Sequence, residues 1–175
     1  MKALPDLEFR QFPDTGGVAD IEFALVWKPD PGFLKSLPRL QAIFSLGAGV
    51  DHILEDRDLP VGVPIVRLVD EQLTRQMTEY AVLHALRFHR QAAAYEALQR
   101  EKRWHELPQK MTGERRVGVM GVGEIGGSVA RALVSLGFDV AGWARGGREG
   151  AGFPVFAGRE RLGEFLGRSD IVICV

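Results

Sequence analysis

The sequence predicts an α/β fold with parallel sheets, and three observations carry this prediction. Short apolar runs bounded by proline and glycine indicate buried strands. Helical or loop segments separate these runs, which is typical of parallel strands joined by crossovers. In the second half of the chain, a glycine-rich turn connects one apolar run to a helix with apolar residues at every third or fourth position.

Three strands are predicted in the first part of the chain. A strand at 21–27 (IEFALVW) ends at the proline- and glycine-containing segment 28–32. A short helix is predicted at about 33–37, and two further apolar strands follow at 40–46 and 64–68. Strands joined by such short helical or loop segments favour one parallel sheet.

From about 70 to 103 the pattern changes to one long helix. Its apolar residues recur at helical spacing and predict a packing face: Met77, Ala81, Ala85, Phe88, Ala92 and Tyr95. Residues 108–113 are typical of a linker. We therefore predict a first domain at 1–73, a connecting helix and linker at 74–113, and a second domain at 114–175.

Residues 117–145 predict a strand, a glycine-rich turn, a helix and a second strand. Gly121, Gly123 and Gly126 form the pattern G-x-G-x-x-G directly after the apolar run 117–120. The first glycine permits a tight turn, the second lets the backbone approach a pyrophosphate, and the third lets the helix lie close to the strand. The pattern in this context predicts a dinucleotide-binding unit.

The helix that begins near Glu124 and Ile125 supplies the electrostatic part of this prediction. Its first N–H groups and the positive end of its dipole are expected to face the phosphates. The alternative is a glycine-rich turn that binds no ligand, because the pattern by itself occurs by chance.

The end of the second strand, 139–143, predicts which dinucleotide binds. An NAD-selective site carries an acidic side chain there, which binds the ribose 2′-hydroxyl. This chain has Ala144, followed by Arg145 and Arg148. A 2′-phosphate would meet cations instead of a carboxylate, so we favour NADP(H), with NAD(H) as a possibility. Alternatively, the two arginines are ordinary solvated loop charges.

After this loop the pattern predicts a strand at 155–156, a helix at about 159–167 and a strand at 170–175. A doubly wound fold has later strands that complete the sheet. We therefore expect an unfinished domain with an exposed strand edge and an apolar face, which favours self-association.

Composition excludes several classes of function. Hydrophobic residues make up 46% and charged residues 26%, with a net charge of −1, so nothing suggests a nucleic-acid or anionic-membrane partner. No apolar run is long enough to span a bilayer. The single cysteine, Cys174, lies in an apolar run and is predicted to be a small buried residue. One cysteine forms no disulfide within the chain, which fits a reducing cytoplasm. We predict no metal site.

Several segments together resemble the D-isomer-specific 2-hydroxyacid dehydrogenases, and within them the glyoxylate/hydroxypyruvate reductase branch. They are ALVWKPD at 24–30, SLGAGVDHIL at 45–54, RLVDEQLTRQMTEY at 67–80, the glycine-rich unit at 117–138, and SDIVICV at 169–175. The resemblance implies an α/β fold with a partial flavodoxin-like substrate domain, followed by the first half of a Rossmann NAD(P)-binding domain. It also implies a chain truncated at both ends.

The resemblance implies a substrate site at the end of the second strand. Small residues after a strand expose amides to an anion, and the loop of Leu46, Gly47, Ala48 and Gly49 would bind the substrate carboxylate in this way. Trp27 would lie close to the substrate. The alternatives are a simple strand-ending turn and a tryptophan that only packs.

The resemblance also implies that Met77, with Gln76 beside it, faces the nicotinamide. The family's arginine, glutamate and histidine lie beyond the strand that resembles 170–175, so no catalytic residue is expected in this chain. The four histidines, His52, His84, His89 and His105, do not match the position of the acid and are expected to pack or to be solvated.

Two hypotheses follow. The first hypothesis is that the chain is part of an NAD(P)H-dependent reductase of small 2-keto acids such as glyoxylate or hydroxypyruvate. The parent enzyme would be a cytoplasmic homodimer, and this chain alone would be inactive. The second is a non-catalytic nucleotide-binding or oligomerisation module.

Overall fold

A computed structural model of the protein describes residues 7–147 and 150–175. The chain divides into two compact units, Met1–Asp70 and Glu71–Val175. Both contain a parallel sheet, so the α/β class predicted from the sequence is confirmed. In the described ranges, no helix has both the length and the apolar character that a membrane span requires.

The first unit is a three-stranded parallel sheet. Its strands are β1 (Phe23–Val26), β2 (Ala42–Ser45) and β3 (Ile65–Val66), in the spatial order β1-β2-β3. All three predicted strands are confirmed, although each is shorter than its apolar run. The short helix α1 (Asp51–Leu54) follows β2, and the predicted helix at 33–37 is a single 3₁₀ turn at Leu34–Ser36.

The core of the first unit lies between this sheet and the segments that cross it. Along β1 the buried side chains alternate with exposed ones, as expected for a strand with one covered face. The buried residues of this core are Ala24, Val26, Leu34, Leu37, Leu40, Ile43 and Ile53.

The second unit begins with two helices where the sequence predicted one. Helix α2 spans Glu71–His89 and α3 spans Ala92–Arg100. Between them Gln91 adopts a left-handed conformation with φ 53° and ψ 36°, and its side-chain amide donates a hydrogen bond to the Pro108 carbonyl at 2.6 Å. The prediction of one continuous helix is wrong because the apolar periodicity continues across the break, and neither glycine nor proline marks it.

A four-stranded parallel sheet forms the centre of the second unit. It contains β4 (Arg116–Met120), β5 (Asp139–Ala144), β6 (Val155–Ala157) and β7 (Ile171–Cys174), in the order β6-β5-β4-β7. The order reverses at β4, because the chain builds outward through β5 and β6 and then returns to place β7 on the other side. This reversal is the topological switch point of a doubly wound sheet.

Helices cover both faces of this sheet. Helix α4 (Glu124–Ser135) packs against one face and α2 packs against α4. Helix α5 (Leu162–Arg168) covers the other face, where Phe165 is fully buried. A Cβ at Gly118 would contact the Phe165 ring, so the absence of a side chain there lets α5 lie close to β4. The core on the α4 side consists of Ala85, Val117, Val119, Val129, Ala130, Leu133, Phe138 and Val140.

Two ion pairs join the amino ends of the strands. Arg116 at the start of β4 contacts Asp170 before β7 at 2.8 Å, and Arg168 contacts Asp139 at the start of β5 at 2.7 Å. Both pairs lie at the edge of the sheet opposite to the glycine-rich turn, so they stabilise strand starts and do not line that turn.

Candidate functional site

The glycine-rich turn connects the carboxyl end of β4 to the first residue of α4. Gly121 has φ +92°, and a Cβ there would collide with the carbonyl oxygen of Val175. The Gly121 N–H donates to the Trp143 carbonyl at 2.8 Å, which ties the turn to β5. Only glycine satisfies both the backbone conformation and the close approach.

The other two glycines of the pattern have different surroundings. Gly123 precedes α4 and is exposed, and a Cβ built on it meets no atom within 4 Å. Gly126 is buried, and a Cβ there would collide with the Gly121 carbonyl oxygen. Gly126 thus lets α4 lie close to the turn, while Gly123 leaves space open at the start of the helix.

The amino end of α4 is the electropositive part of this edge. The first-turn N–H groups at Glu124 and Ile125 have no acceptor inside the helix, because an α-helix satisfies its donors only from the fourth residue onward. Twelve residues of aligned peptide dipoles add partial positive charge at the same end. Open space beside such N–H groups suits a phosphate group.

The switch point itself carries a thiol. Cys174 is the register partner of Met120 on β4, and its Sγ lies 4.0 Å from the Met120 Sδ. The prediction that Cys174 is buried is wrong: its side chain is exposed, because it alternates along β7 with the half-buried Ile173. An apolar run alone does not reveal which face of a strand is covered.

The end of β5 has the residues on which the choice of dinucleotide depends. Ala144 is the last residue of the strand, and Arg145 follows it with an exposed side chain. Arg148 lies outside the described residues. The role of these residues therefore stays a prediction, with the position of Arg145 at the carboxyl end of β5 in its favour.

Sequence reasoning missed Gly158, which lies beside this strand end. Its N–H donates to the Ala144 carbonyl at 3.0 Å, and its carbonyl accepts a 2.8 Å hydrogen bond from the Trp143 indole. With φ +83°, Gly158 turns the chain after β6, and the Glu160 side chain folds back against it. A glycine directly after a short apolar run was the available signal.

In the first unit, Ser45 organises the loop that follows β2. Its buried hydroxyl donates to the Gly49 carbonyl at 3.0 Å and accepts from the Gly47 N–H at 3.2 Å. The Leu46 N–H donates to the Val26 carbonyl at 3.0 Å. Among the described residues, the amides of Ala48 and Gly49 have no acceptor, so these two amides remain available to an anion. The carboxylate site at residues 46–49 stays a prediction.

Trp27 lies over this loop. The residue is 59% exposed, and its ring contacts Gly47 so closely that a Cβ there would collide with it. The ring centroid is 5.0 Å from that of His52, whose Nε2 is buried without a partner in the described ranges. The tryptophan and the two free amides thus belong to one end of the first sheet.

The remaining predicted residue is Met77, half-buried on the second turn of α2. Its role stays a prediction. Within the described ranges, no cluster of three or more histidine, cysteine or acidic residues has the geometry to bind a metal ion.

Two residues of the second unit with a shifted side-chain pKa lie away from the glycine-rich turn. Hydrogen bonds from the Arg116 side chain and backbone hold the pKa of Asp170 well below its ordinary value. Burial, together with the charges of Arg115 and Arg90, lowers the pKa of His89. Both groups therefore affect stability, and neither is placed to act on a ligand at the turn.

The reversed strand order and the glycine-rich turn define a dinucleotide-binding domain of the Rossmann type. Comparison with family models identifies which kind. The model for the D-isomer specific 2-hydroxyacid dehydrogenase, NAD binding domain, matches residues 82–175, and the chain belongs to this family. The resemblance noted in the sequence is confirmed.

Two relatives are glyoxylate/hydroxypyruvate reductases A. The protein from Serratia proteamaculans is 37% identical over 97% of this chain, and the one from Klebsiella pneumoniae is 39% identical over 98%. The chain spans about half the length of these relatives, 56% in each case.

Two solved structures are similar to about nine tenths of the chain. The D-isomer specific 2-hydroxyacid dehydrogenase from Xanthobacter autotrophicus, in complex with NADPH and MES, has a TM-score of 0.86 at 39% identity, covering 91% of this chain and 50% of that one. The NADPH-dependent glyoxylate/hydroxypyruvate reductase from Sinorhizobium meliloti, in complex with NADP and sulfate, has a TM-score of 0.82 at 40% identity, covering 90% and 49%.

Proposed function

We propose that this chain supplies the coenzyme-binding unit and a carboxylate-binding loop of an NADPH-dependent reductase of small 2-keto acids, with glyoxylate and hydroxypyruvate as the substrate class. The observation that carries the proposal is the open space at Gly123 beside the amino end of α4, on the same sheet edge as Arg145. The relatives named above are reductases of this class.

The glycine-rich turn fits a dinucleotide. Phosphate oxygens would accept hydrogen bonds from the amides at Glu124 and Ile125, in the space that a side chain at position 123 would fill. With its phosphates held at this turn, the coenzyme would supply a hydride from its nicotinamide group to the keto carbon of the acid. The contribution of this unit is to bind and orient the coenzyme at the switch point.

Selection of NADPH is assigned to the end of β5. Ala144 places no carboxylate where the adenosine ribose binds, and Arg145 offers a guanidinium to a 2′-phosphate. The related proteins from Xanthobacter and Sinorhizobium were solved with NADPH and NADP, which supports the same choice here.

The loop after β2 is assigned to the substrate carboxylate. The amides of Ala48 and Gly49 donate to the anion, and Ser45 holds the loop in the conformation that leaves them free. The Trp27 ring covers the loop and excludes water from one side.

Coenzyme binding by the purified chain tests this proposal. We expect NADPH to bind more tightly than NADH in calorimetric titrations, and Gly123→Val to weaken both because its side chain fills the pyrophosphate space. Gly163→Val is the matched control, since Gly163 in α5 is also exposed with nothing within 4 Å of a Cβ. Equal binding by wild type and the Gly123→Val variant would overturn the proposal.

We also propose a cytoplasmic homodimer. Large apolar side chains are exposed on α2 and after α3, including Leu83 at 55%, Phe88 at 71% and Trp104 at 98%. Large apolar side chains left exposed in this number favour association between chains where they lie together. Light scattering should give a dimer mass at micromolar concentration, and Phe88→Lys should shift it towards the monomer; a monomeric wild type would contradict the proposal.

A further inference from the structure

We propose that Arg159 is a second cation for the 2′-phosphate of NADPH and, with Arg145, determines the preference over NADH. This inference rests on the proposed function, because it assigns a residue to the same coenzyme site. Arg159 follows β6, the strand that neighbours β5 in the sheet.

The register of the sheet brings Arg159 to the required edge. Strands β5 and β6 are parallel, and Ala144 pairs with Ala157. The Gly158 N–H donates to the Ala144 carbonyl, so the backbones that precede Arg145 and Arg159 are hydrogen-bonded to one another. Adjacent parallel strands lie about 4.8 Å apart, which is less than the length of an arginine side chain.

The turn at Gly158 fixes this placement. Its φ of +83° disfavours any other residue, and a Cβ would collide with the Glu160 side chain. The chain then enters a 3₁₀ turn at Arg159–Arg161. Arg159 is therefore the first side chain that the turn presents at the carboxyl edge of β6.

The arginines near this edge differ in whether they have partners. Arg161 pairs with Glu164 at 3.0 Å and lies over the Phe156 ring, 4.5 Å from its centroid. Arg145 and Arg159 are both exposed, and neither has an ion-pair partner among residues 7–147 and 150–175. Two guanidinium groups without an ion-pair partner in those ranges thus follow the ends of neighbouring strands.

A nearby carboxylate lowers the positive charge at this end of the sheet. The Glu160 side chain folds back against Gly158, so one formal negative charge follows β6. Counted together, Arg145 and Glu160 have a formal charge of zero. With Arg159 the local charge is positive, which is what a 2′-phosphate requires and what a 2′-hydroxyl does not.

The test measures the affinity of the full chain for NADPH, NADH, 2′,5′-ADP and 5′-AMP by calorimetry. We expect Arg159→Ala to weaken NADPH and 2′,5′-ADP about tenfold, because a charge-assisted hydrogen bond is lost. NADH and 5′-AMP should change less than about twofold, since they carry no 2′-phosphate. Arg159→Lys should retain part of the affinity for 2′,5′-ADP.

Arg131→Ala is the matched control, because Arg131 is an exposed arginine on α4 about two turns from its amino end. Its affinities should equal those of the wild type. An Arg159→Ala variant that binds NADPH and 2′,5′-ADP as tightly as the wild type would overturn the role of Arg159 alone. A wild-type chain that binds none of the four probes would instead overturn the proposed function.

Discussion

Gly126 in α4 lies so close to the carbonyl oxygen of Gly121 that a Cβ on Gly126 would collide with it. This contact determines how far α4 can approach the turn that ends β4. The position of the helix amino end, and with it the proposed phosphate site, therefore depends on the absence of one methyl group.

Gly126→Ala is expected to lower the free energy of unfolding by about 1 to 3 kcal/mol, because backbone atoms must move to accommodate the methyl group. It should also weaken NADPH and NADH alike. Urea denaturation with calorimetric titration measures both effects. Gly167→Ala is the control: Gly167 is exposed in α5 with nothing within 4 Å of a Cβ, so alanine should be neutral or slightly stabilising. Equal stability of the two variants would contradict the packing argument.

Arg145→Asp is expected to weaken NADPH by roughly ten- to a hundredfold and NADH little, because a 2′-phosphate loses a charge-assisted hydrogen bond and gains repulsion. Arg131→Asp makes the same charge change on α4 and should leave the ratio of the two affinities unaltered. If the Arg145→Asp variant has the same ratio of NADPH affinity to NADH affinity as the wild type, this residue does not select the coenzyme.

Asp170→Asn is expected to destabilise the chain by about 1 to 2 kcal/mol at pH 7, since it removes the negative charge and one of the two oxygens that accept hydrogen bonds from Arg116. The pKa of Asp170 is lowered on folding, so its stabilisation is fully present above its ordinary pKa of 3.8 and is lost as the pH falls below that value. Urea denaturation between pH 7 and pH 3 measures the difference.

Glu164→Gln, which breaks a more exposed ion pair, is the control for Asp170→Asn. The Arg161–Glu164 pair is 47% and 61% exposed, so its loss should cost less than about 0.5 kcal/mol. A cost for Asp170→Asn no larger than that of Glu164→Gln would contradict the role of Asp170 in joining β4 to β7.

The buried side chain of His89 should make the folded chain less stable in mild acid. The residue is 4% exposed, and its ring packs edge-on against Phe138. Burial, then the charges of Arg115 and Arg90, lower its pKa below the ordinary value of 6.5, so the stabilisation is present above pH 6.5 and declines as the pH falls below it. His89→Gln should lose less stability than the wild type between pH 7.5 and pH 5.5. Parallel curves for the two proteins would contradict this assignment.

The sequence predicted the features that depend on local chemistry. The strand before Gly121, the turn and α4 are specified by apolar spacing and by glycine, and all three are where they were expected. The family resemblance depended on such segments and is confirmed by the match at 82–175.

Features that depend on non-local contacts were not predictable. The left-handed conformation of Gln91 is associated with a hydrogen bond to Pro108, seventeen residues away. The Leu46 N–H donates a hydrogen bond to the Val26 carbonyl on the neighbouring strand. The placement of Arg159 near Arg145 follows from the β5–β6 register. Each of these facts needs the pairing of segments, which residue spacing does not encode.

Alkylation of Cys174 tests most directly the central claim that NADPH binds at the switch point between β4 and β7. It is the chain's single cysteine, it is exposed, and it pairs with Met120 directly before the glycine-rich turn. Bound coenzyme should slow its alkylation by a thiol reagent with a saturable dependence on NADPH concentration, and Gly123→Val should abolish this protection. An alkylation rate independent of NADPH, at concentrations where calorimetry shows the coenzyme bound, would contradict the claim.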